Sequence, residues 1–101
     1  MKIVKKYDER LEKICEVAMN NSGFTLQLPV MKEELLELAV ELQKIDRGKH
    51  EWEKICEETF DAYVMVKQLI KYLEINKPEL LEDWFKIKTS KLEIKFKVQG
   101  Q

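Results

Sequence analysis

Two segments decide the fold: residues 32–44, KEELLELAVELQK, and residues 57–69, EETFDAYVMVKQL. In each segment apolar residues recur at three- and four-residue steps, which is typical of an amphipathic helix. Each segment also carries two carboxylates three residues apart, and this spacing puts both side chains on one helical face. The pairs are Glu34 with Glu37 and Glu58 with Asp61. The two segments therefore predict two helices, each with an acidic pair.

The turn between these helices would bring the two acidic pairs to the same height. The point midway between the pairs is the Arg47–Gly48 step of DRGKH, the best turn signal in the region. We therefore predict an antiparallel helical hairpin, with helices over about 29–46 and 50–75, that carries all four carboxylates at one level. Four negative charges at one level repel each other unless a cation lies among them.

The N-terminal part of the chain predicts one more helix before the hairpin. An apolar stripe of Val4, Tyr7, Leu11, Ile14 and Ala18 predicts a helix over about 4–20. The run Asn-Asn-Ser-Gly ends it at Gly23, because Gly adopts the left-handed conformation that stops helices. Residues 24–28 are expected to form a short connector. Pro29 then suits a first helical position, where its missing N–H costs nothing.

The C-terminal part predicts a fourth helix that starts at Pro78 and persists to about residue 92. Beyond it the tail, residues 93–101, stays undecided, because apolar residues and lysines alternate there with the period of a strand. The expected fold is all-α with a four-helix core, as a single domain over residues 1–101. A chain this short buries a limited share of its surface, so an oligomer is expected.

Composition excludes several classes of function. The chain has 101 residues with 18 Lys and Arg against 19 Asp and Glu, a net charge of −1, which argues against a nucleic-acid partner. No run approaches the roughly 18 apolar residues of a membrane span, so no membrane partner is expected. The N-terminus lacks the apolar region of a signal peptide. Cys15 and Cys56 belong to no metal-binding motif, so we expect both to be reduced, in a cytoplasmic protein.

The acidic pairs suggest a metal site. Asp61 interrupts the apolar run Phe60–Val66, where a carboxylate is costly to bury unless it is paired or bound to a metal. Oxygen ligands suit Mg²⁺ or Mn²⁺, and Mg²⁺ commonly shares its coordination shell with substrate phosphates. The competing interpretation is that both pairs are solvated helix faces. A di-iron bundle would need Glu-x-x-His motifs, but the single histidine, His50, follows Arg47 by three residues.

The pattern resembles the MazG-like family, the all-α nucleoside triphosphate pyrophosphohydrolases. That family has EExxE followed, after a variable gap, by ExxD. Here residues 33–37, EELLE, match the first motif and residues 58–61, ETFD, match the second, with 20 residues between them. Gln27 precedes the first motif, and a lysine-bearing helix follows the second. The resemblance covers roughly residues 24–92.

The resemblance implies a four-helix active site in which Glu34, Glu37, Glu58 and Asp61 hold Mg²⁺, with Mn²⁺ as an alternative. It implies a nucleoside triphosphate substrate, which is converted to monophosphate and pyrophosphate. It further implies a homodimer or homotetramer with sites near the subunit interfaces. Glu33 matches a supporting position of the first motif. Lys88 and Lys91 resemble the basic residues that contact phosphate in the family's last helix, although a solvated C-terminal face is the competing interpretation.

The sequence therefore predicts a Mg²⁺-dependent nucleotide pyrophosphohydrolase. Glu34 or Glu37 is expected to orient or deprotonate the attacking water. The alternative is a non-catalytic helical interaction or regulatory module of the same fold. The preferred base and sugar do not follow from the residues.

Overall fold

The computed structural model describes residues 2–98, apart from the side chain of Ser22. Over these residues every regular element is helical, so the predicted all-α class is confirmed. The elements are α1 (Lys2–Gln43), a 3-10 turn (Lys44–Arg47), α2 (Trp52–Asn76) and α3 (Pro78–Lys95). In this part of the chain no helix has both the length and the apolar content needed to cross a membrane.

Gly23 breaks α1 into two segments, residues 2–22 and residues 24–43. Its φ of 75° and ψ of 170° are not helical, and a positive φ favours glycine because it has no Cβ. The predicted stop at Gly23 is thus confirmed, but the predicted connector over 24–28 is wrong, since helix resumes immediately. Pro29 consequently lies inside the second segment and not at its first position. It removes one backbone hydrogen bond there, which a helix stabilised by packing tolerates.

The first segment of α1 runs parallel to α2. Asp8 accepts a hydrogen bond from Tyr63 at 2.8 Å, and Glu12 lies 2.9 Å from Lys67, one turn further along both helices. Sequence numbers therefore rise together along this contact.

The second segment of α1 runs antiparallel to α2, as the sequence predicts. The carboxyl of Glu34 interacts with Asp61, and that of Glu37 interacts with Glu58. The chain reverses through the 3-10 turn, which ends at Gly48 with a φ of 66°. The predicted hairpin and its turn are confirmed. At the turn the helices end at Gln43 and begin at Trp52, inside the predicted bounds of 46 and 50, whereas the first helix of the hairpin starts at residue 24, before the predicted residue 29.

The described chain divides into two compact units at the step between Lys71 and Tyr72. The first unit contains the buried apolar residues, which are Leu11, Cys15, Met31, Ile55 and Ala62. The predicted stripe of the first helix is wrong at Ile14, which is 56% exposed, while Cys15 is fully buried. The Sγ of Cys15 lies 3.8 Å from the carbonyl oxygen of Val64. Cys15 and Cys56 are both free, as expected.

The second unit contains α3. The helix starts at Pro78 as predicted and continues to Lys95, so the alternation beyond residue 92 does not produce a strand within residues 2–98. The tail residues 99–101 lie outside the described range. No residue of α3 is buried among those described. The single-domain interpretation stays a prediction.

Candidate metal centre

The hairpin brings together the four carboxylates that the sequence singled out, which we call the carboxylate cluster: Glu34, Glu37, Glu58 and Asp61. Glu34, Glu37 and Glu58 each offer an oxygen within 4.8 Å of the other two. Glu58 and Asp61 form a second such group with Glu57, which the sequence analysis did not single out. Glu58 belongs to both groups and therefore lies at the centre of the cluster.

Two oxygens of the cluster are buried without a hydrogen-bond partner. They are the Oε2 atoms of Glu34 and Glu58. Glu58 is only 3% exposed, although it is a glutamate on a short helical protein. A buried carboxylate oxygen without a partner is costly and is uncommon in folded proteins. The geometry therefore leaves acceptor capacity at the centre of the cluster.

The proximity of the carboxylates raises the pKa values of two of them. Burial, the charge of Glu34 and a hydrogen bond with Glu58 raise the pKa of Glu37 to about 7. Burial and the charges of Asp61 and Glu58 also raise the pKa of Glu34 above its ordinary value. Without a cation, the folded protein therefore favours protonated glutamates, because neighbouring negative charges disfavour a further ionisation.

Within residues 2–98, Lys54 is the lysine that forms ion pairs with the cluster. Its Nζ lies 3.3 Å from the Oε1 of Glu58 and 3.7 Å from the Oε1 of Glu57. The ion pair with Glu58 raises the pKa of Lys54 above its ordinary value. Sequence analysis missed Lys54, although a lysine four residues before a glutamate is a recognisable helical pair.

The donor set fits a hard divalent cation. All the converging atoms are carboxylate oxygens, which Mg²⁺ and Mn²⁺ prefer, and the unpartnered oxygens of Glu34 and Glu58 are free to accept a metal. A cation bound in the first group would be held by Glu34, Glu37 and Glu58, and one bound in the second by Glu58, Asp61 and Glu57. Such a cation would also offset the repulsion that raises the pKa values of the glutamates.

The other predicted site residues lie outside the carboxylate cluster. Glu33 lines a cavity of about 420 Å³ that also includes Glu37 and Glu58. Lys88 and Lys91 are exposed on α3, and the Nζ of Lys88 lies 6.0 Å from the ring centroid of Trp84. Phosphate binding by these two lysines stays a prediction.

The sequence analysis did not predict a second charged group, which we call the lysine network. It consists of Lys67 and Lys71 on α2, with Asp8 and Glu12 on the first segment of α1, and Tyr63. A signal was present, because the two acids and the two lysines are each four residues apart. That signal predicts the network only if these two helices are known to pack side by side.

No protein-family model, curated protein or solved structure matches the chain.

Proposed function

We propose that the protein is a Mg²⁺-dependent nucleotide pyrophosphohydrolase, which converts a nucleoside triphosphate to monophosphate and pyrophosphate. One observation carries this proposal: two acidic pairs from antiparallel helices converge on Glu58, which is 3% exposed and has an unpartnered Oε2. Such an oxygen-rich, half-open centre suits a cation that also binds phosphate oxygens. The resemblance of residues 33–37 and 58–61 to the MazG-like motifs supports the same reaction.

The cluster residues divide the work of this reaction. Glu34, Glu37, Glu58 and Asp61 would hold Mg²⁺, which when bound would neutralise phosphate oxygens and lower the pKa of water. Glu34 or Glu37 orients or deprotonates the attacking water. The water cleaves the P–O–P bond between the α- and β-phosphates and gives up its proton to that glutamate, so that monophosphate and pyrophosphate are released.

A panel of nucleotides tests the proposal. Pyrophosphate release is measured from standard, deoxy and non-standard nucleoside triphosphates, with Mg²⁺, with Mn²⁺ and with a chelator. We expect release from at least one substrate that depends on the metal and is lost in Glu58→Gln. Glu53→Gln is the matched control, because Glu53 lies on the same helix, is exposed and is outside the cluster. Absence of release from every nucleotide with either metal contradicts the proposal.

A non-catalytic interaction module is the second candidate, and α3 favours it. This helix exposes Leu80, Trp84, Phe85 and Ile87, and the structure places no buried residue on it. Isolated helices of this length are marginal in water, so contact of these exposed apolar side chains with another surface would stabilise α3. A protein that binds a partner through α3 and releases no pyrophosphate would fit this alternative.

We further propose that the protein is a cytoplasmic homodimer or homotetramer whose interface includes part of residues 60–73. Phe60 is 52% exposed and Val66 is 38% exposed on α2. In the first unit an apolar cavity of about 340 Å³ adjoins Phe60, with Ile3 and Tyr7 on its wall. Light scattering at micromolar concentration should give a mass above the 12.1 kDa of one chain. A monomer would contradict this proposal.

A further inference from the structure

Lys54 contacts one oxygen of the Glu58 carboxylate and not the other. Lys54 lies 3.3 Å from the Oε1 of Glu58, while the Oε2 of the same carboxylate is buried without a hydrogen-bond partner. A cation accepted by Oε2 would place two positive centres on one carboxylate. The two cations therefore compete, and the flexible one is expected to move.

Lys54 has the freedom to move. Its side chain is 45% exposed, whereas that of Glu58 is 4% exposed. Lysine carries its charge on a flexible four-carbon stem with three donors, so its ammonium group changes partners easily. The helix thus fixes the carboxylate and leaves the ammonium group adjustable.

The cavity beside the cluster offers Lys54 a second partner. It measures about 420 Å³, and its wall includes Glu37, Glu58 and Lys54 together with the apolar residues Leu36 and Val40. Leu36 and Val40 are 66% and 49% exposed, so one side of the cavity offers apolar contact. An anionic ligand in a cavity with this many glutamates needs positive charge near its anionic end.

We propose that Lys54 is the phosphate-binding residue of this cavity and exchanges partners during ligand binding. It pairs with Glu58 in the metal-free protein, and it contacts a phosphate oxygen of the ligand once a divalent cation takes Glu58. This inference rests on the proposed function, because the ligand is a metal-bound polyphosphate. It assigns Lys54 opposite effects on two ligands: it weakens metal binding and strengthens phosphate binding.

Lys54→Gln separates these two effects. Mn²⁺ is titrated alone by calorimetry, and inorganic tripolyphosphate is then titrated in saturating Mg²⁺. We expect Mn²⁺ to bind roughly fivefold more tightly to the variant, because a competing cation is gone. We expect tripolyphosphate to bind about tenfold more weakly, because a charge-assisted hydrogen bond is lost. Lys54→Arg should restore tripolyphosphate binding in large part.

Lys49→Gln is the matched control. Lys49 lies beside the turn of the same hairpin, its side chain is exposed, and it does not line the cavity. Both affinities should stay at the wild-type values in this variant. If Lys54→Gln weakens both ligands and lowers the melting temperature, the ion pair is structural and the inference is overturned.

The outcomes also separate this inference from the proposed function. A wild-type protein that binds Mn²⁺ and releases pyrophosphate, together with a Lys54→Gln protein of unchanged affinities, overturns only the assignment of Lys54. A wild-type protein that binds Mn²⁺ but not tripolyphosphate also overturns that assignment. A wild-type protein that binds no Mn²⁺, with or without tripolyphosphate, overturns the metal centre itself.

Discussion

The carboxylate cluster and the lysine network lie between α2 and the two segments of α1, one group against each segment. Their arrangements of charge are opposite. In the lysine network, the Nζ of Lys67 lies 2.7 Å from the Oδ1 of Asp8 and 2.9 Å from the Oε2 of Glu12. The Nζ of Lys71 lies 3.0 Å from the Oε1 of Glu12. Acids face bases, so the charges offset each other. In the carboxylate cluster acids face acids, and Lys54 at the edge is the lysine that pairs with them.

The pKa values reflect this difference. Hydrogen bonds from Lys67 and then Tyr63 hold the pKa of Asp8 below its ordinary value, and hydrogen bonds from Lys67 and Lys71 do the same for Glu12. Burial lowers the pKa of Lys67, but its hydrogen bonds to Asp8 and Glu12 outweigh burial and raise it overall. In the cluster the glutamate pKa values are raised instead.

The two charged groups differ in their effect on the stability of the fold. A satisfied network stabilises the structure on its own, whereas a half-satisfied one destabilises it unless something else binds. The lysine network therefore supports the packing of the first segment of α1. The carboxylate cluster costs stability and is consistent with a site that a cation completes.

The largest expected effect is that of Asp61→Asn, which keeps the shape of the side chain and removes its charge. If Asp61 is a metal ligand, nucleotide hydrolysis should fall by orders of magnitude. The metal-free protein should melt at the same temperature or higher, because repulsion within the cluster is relieved. Pyrophosphate release and thermal unfolding in a chelator measure both. A metal-free protein that loses about 1–3 kcal/mol of stability and still hydrolyses nucleotides would make Asp61 a structural residue.

Adding a divalent cation should stabilise the folded protein through the carboxylate cluster. A metal that binds only the folded protein stabilises it by about 2.7 kcal/mol at 100 times its dissociation constant. Urea unfolding with and without Mg²⁺ or Mn²⁺ measures this gain, which should shrink in Glu58→Gln and persist in Glu53→Gln. No change in the urea midpoint, with nucleotide present as well, would show that the cluster binds no metal.

Lys67→Met tests the lysine network, and the expected sign is opposite to that of Asp61→Asn. The side chain of Lys67 is 12% exposed and pairs with Asp8 and Glu12, so removing its charge leaves both acids without their main partner. The free energy of unfolding should fall, and by more than in Lys71→Met, because Lys67 is the less exposed lysine and pairs with both acids. Lys71→Met is the control, since its side chain is 24% exposed and pairs with Glu12; its loss should be under about 1 kcal/mol. Equal losses in the two variants would contradict a central role for Lys67.

A change of pH should alter the stability contributed by the carboxylate cluster and by the lysine network in opposite directions. Glu34 and Glu37 have raised pKa values in the folded protein, so their contribution to stability is present below their ordinary value of 4.5 and is lost as the pH rises through the folded pKa values, which for Glu37 is about 7. Asp8 and Glu12 have lowered pKa values, so their contribution is present above their ordinary values of 3.8 and 4.5 and is lost as the pH falls. The metal-free protein should therefore be most stable at mildly acidic pH.

Urea midpoints in a chelator, compared between mildly acidic and mildly alkaline buffer, measure this effect. The midpoint should be lower in the alkaline buffer for the wild type. The double variant Glu34→Gln with Glu37→Gln should show a smaller difference, because it carries neither titrating group. Equal wild-type midpoints in the two buffers would argue against the raised pKa values.

Local patterns were sufficient for the two helices of the hairpin and for the meeting of the four carboxylates. Three- and four-residue spacing indicated the helices of the hairpin, and Gly48 indicated its turn, because left-handed backbone favours glycine whatever surrounds it. The symmetry of the acidic pairs about that turn then predicted that Glu34 and Glu37 would meet Glu58 and Asp61. A short hairpin fixes register along both helices, so counting residues was enough.

Contacts between distant helices were decided only by the tertiary structure. The pairing of Asp8 with Lys67 depends on the first segment of α1 lying parallel to α2, and the sequence alone leaves the side-by-side partner of that segment open. The burial of Cys15 in place of Ile14 depends on how far that segment is rotated about its axis. Local spacing defines which residues share a helical face, but the direction in which that face points is set by long-range packing, because burial arises between elements and not within one.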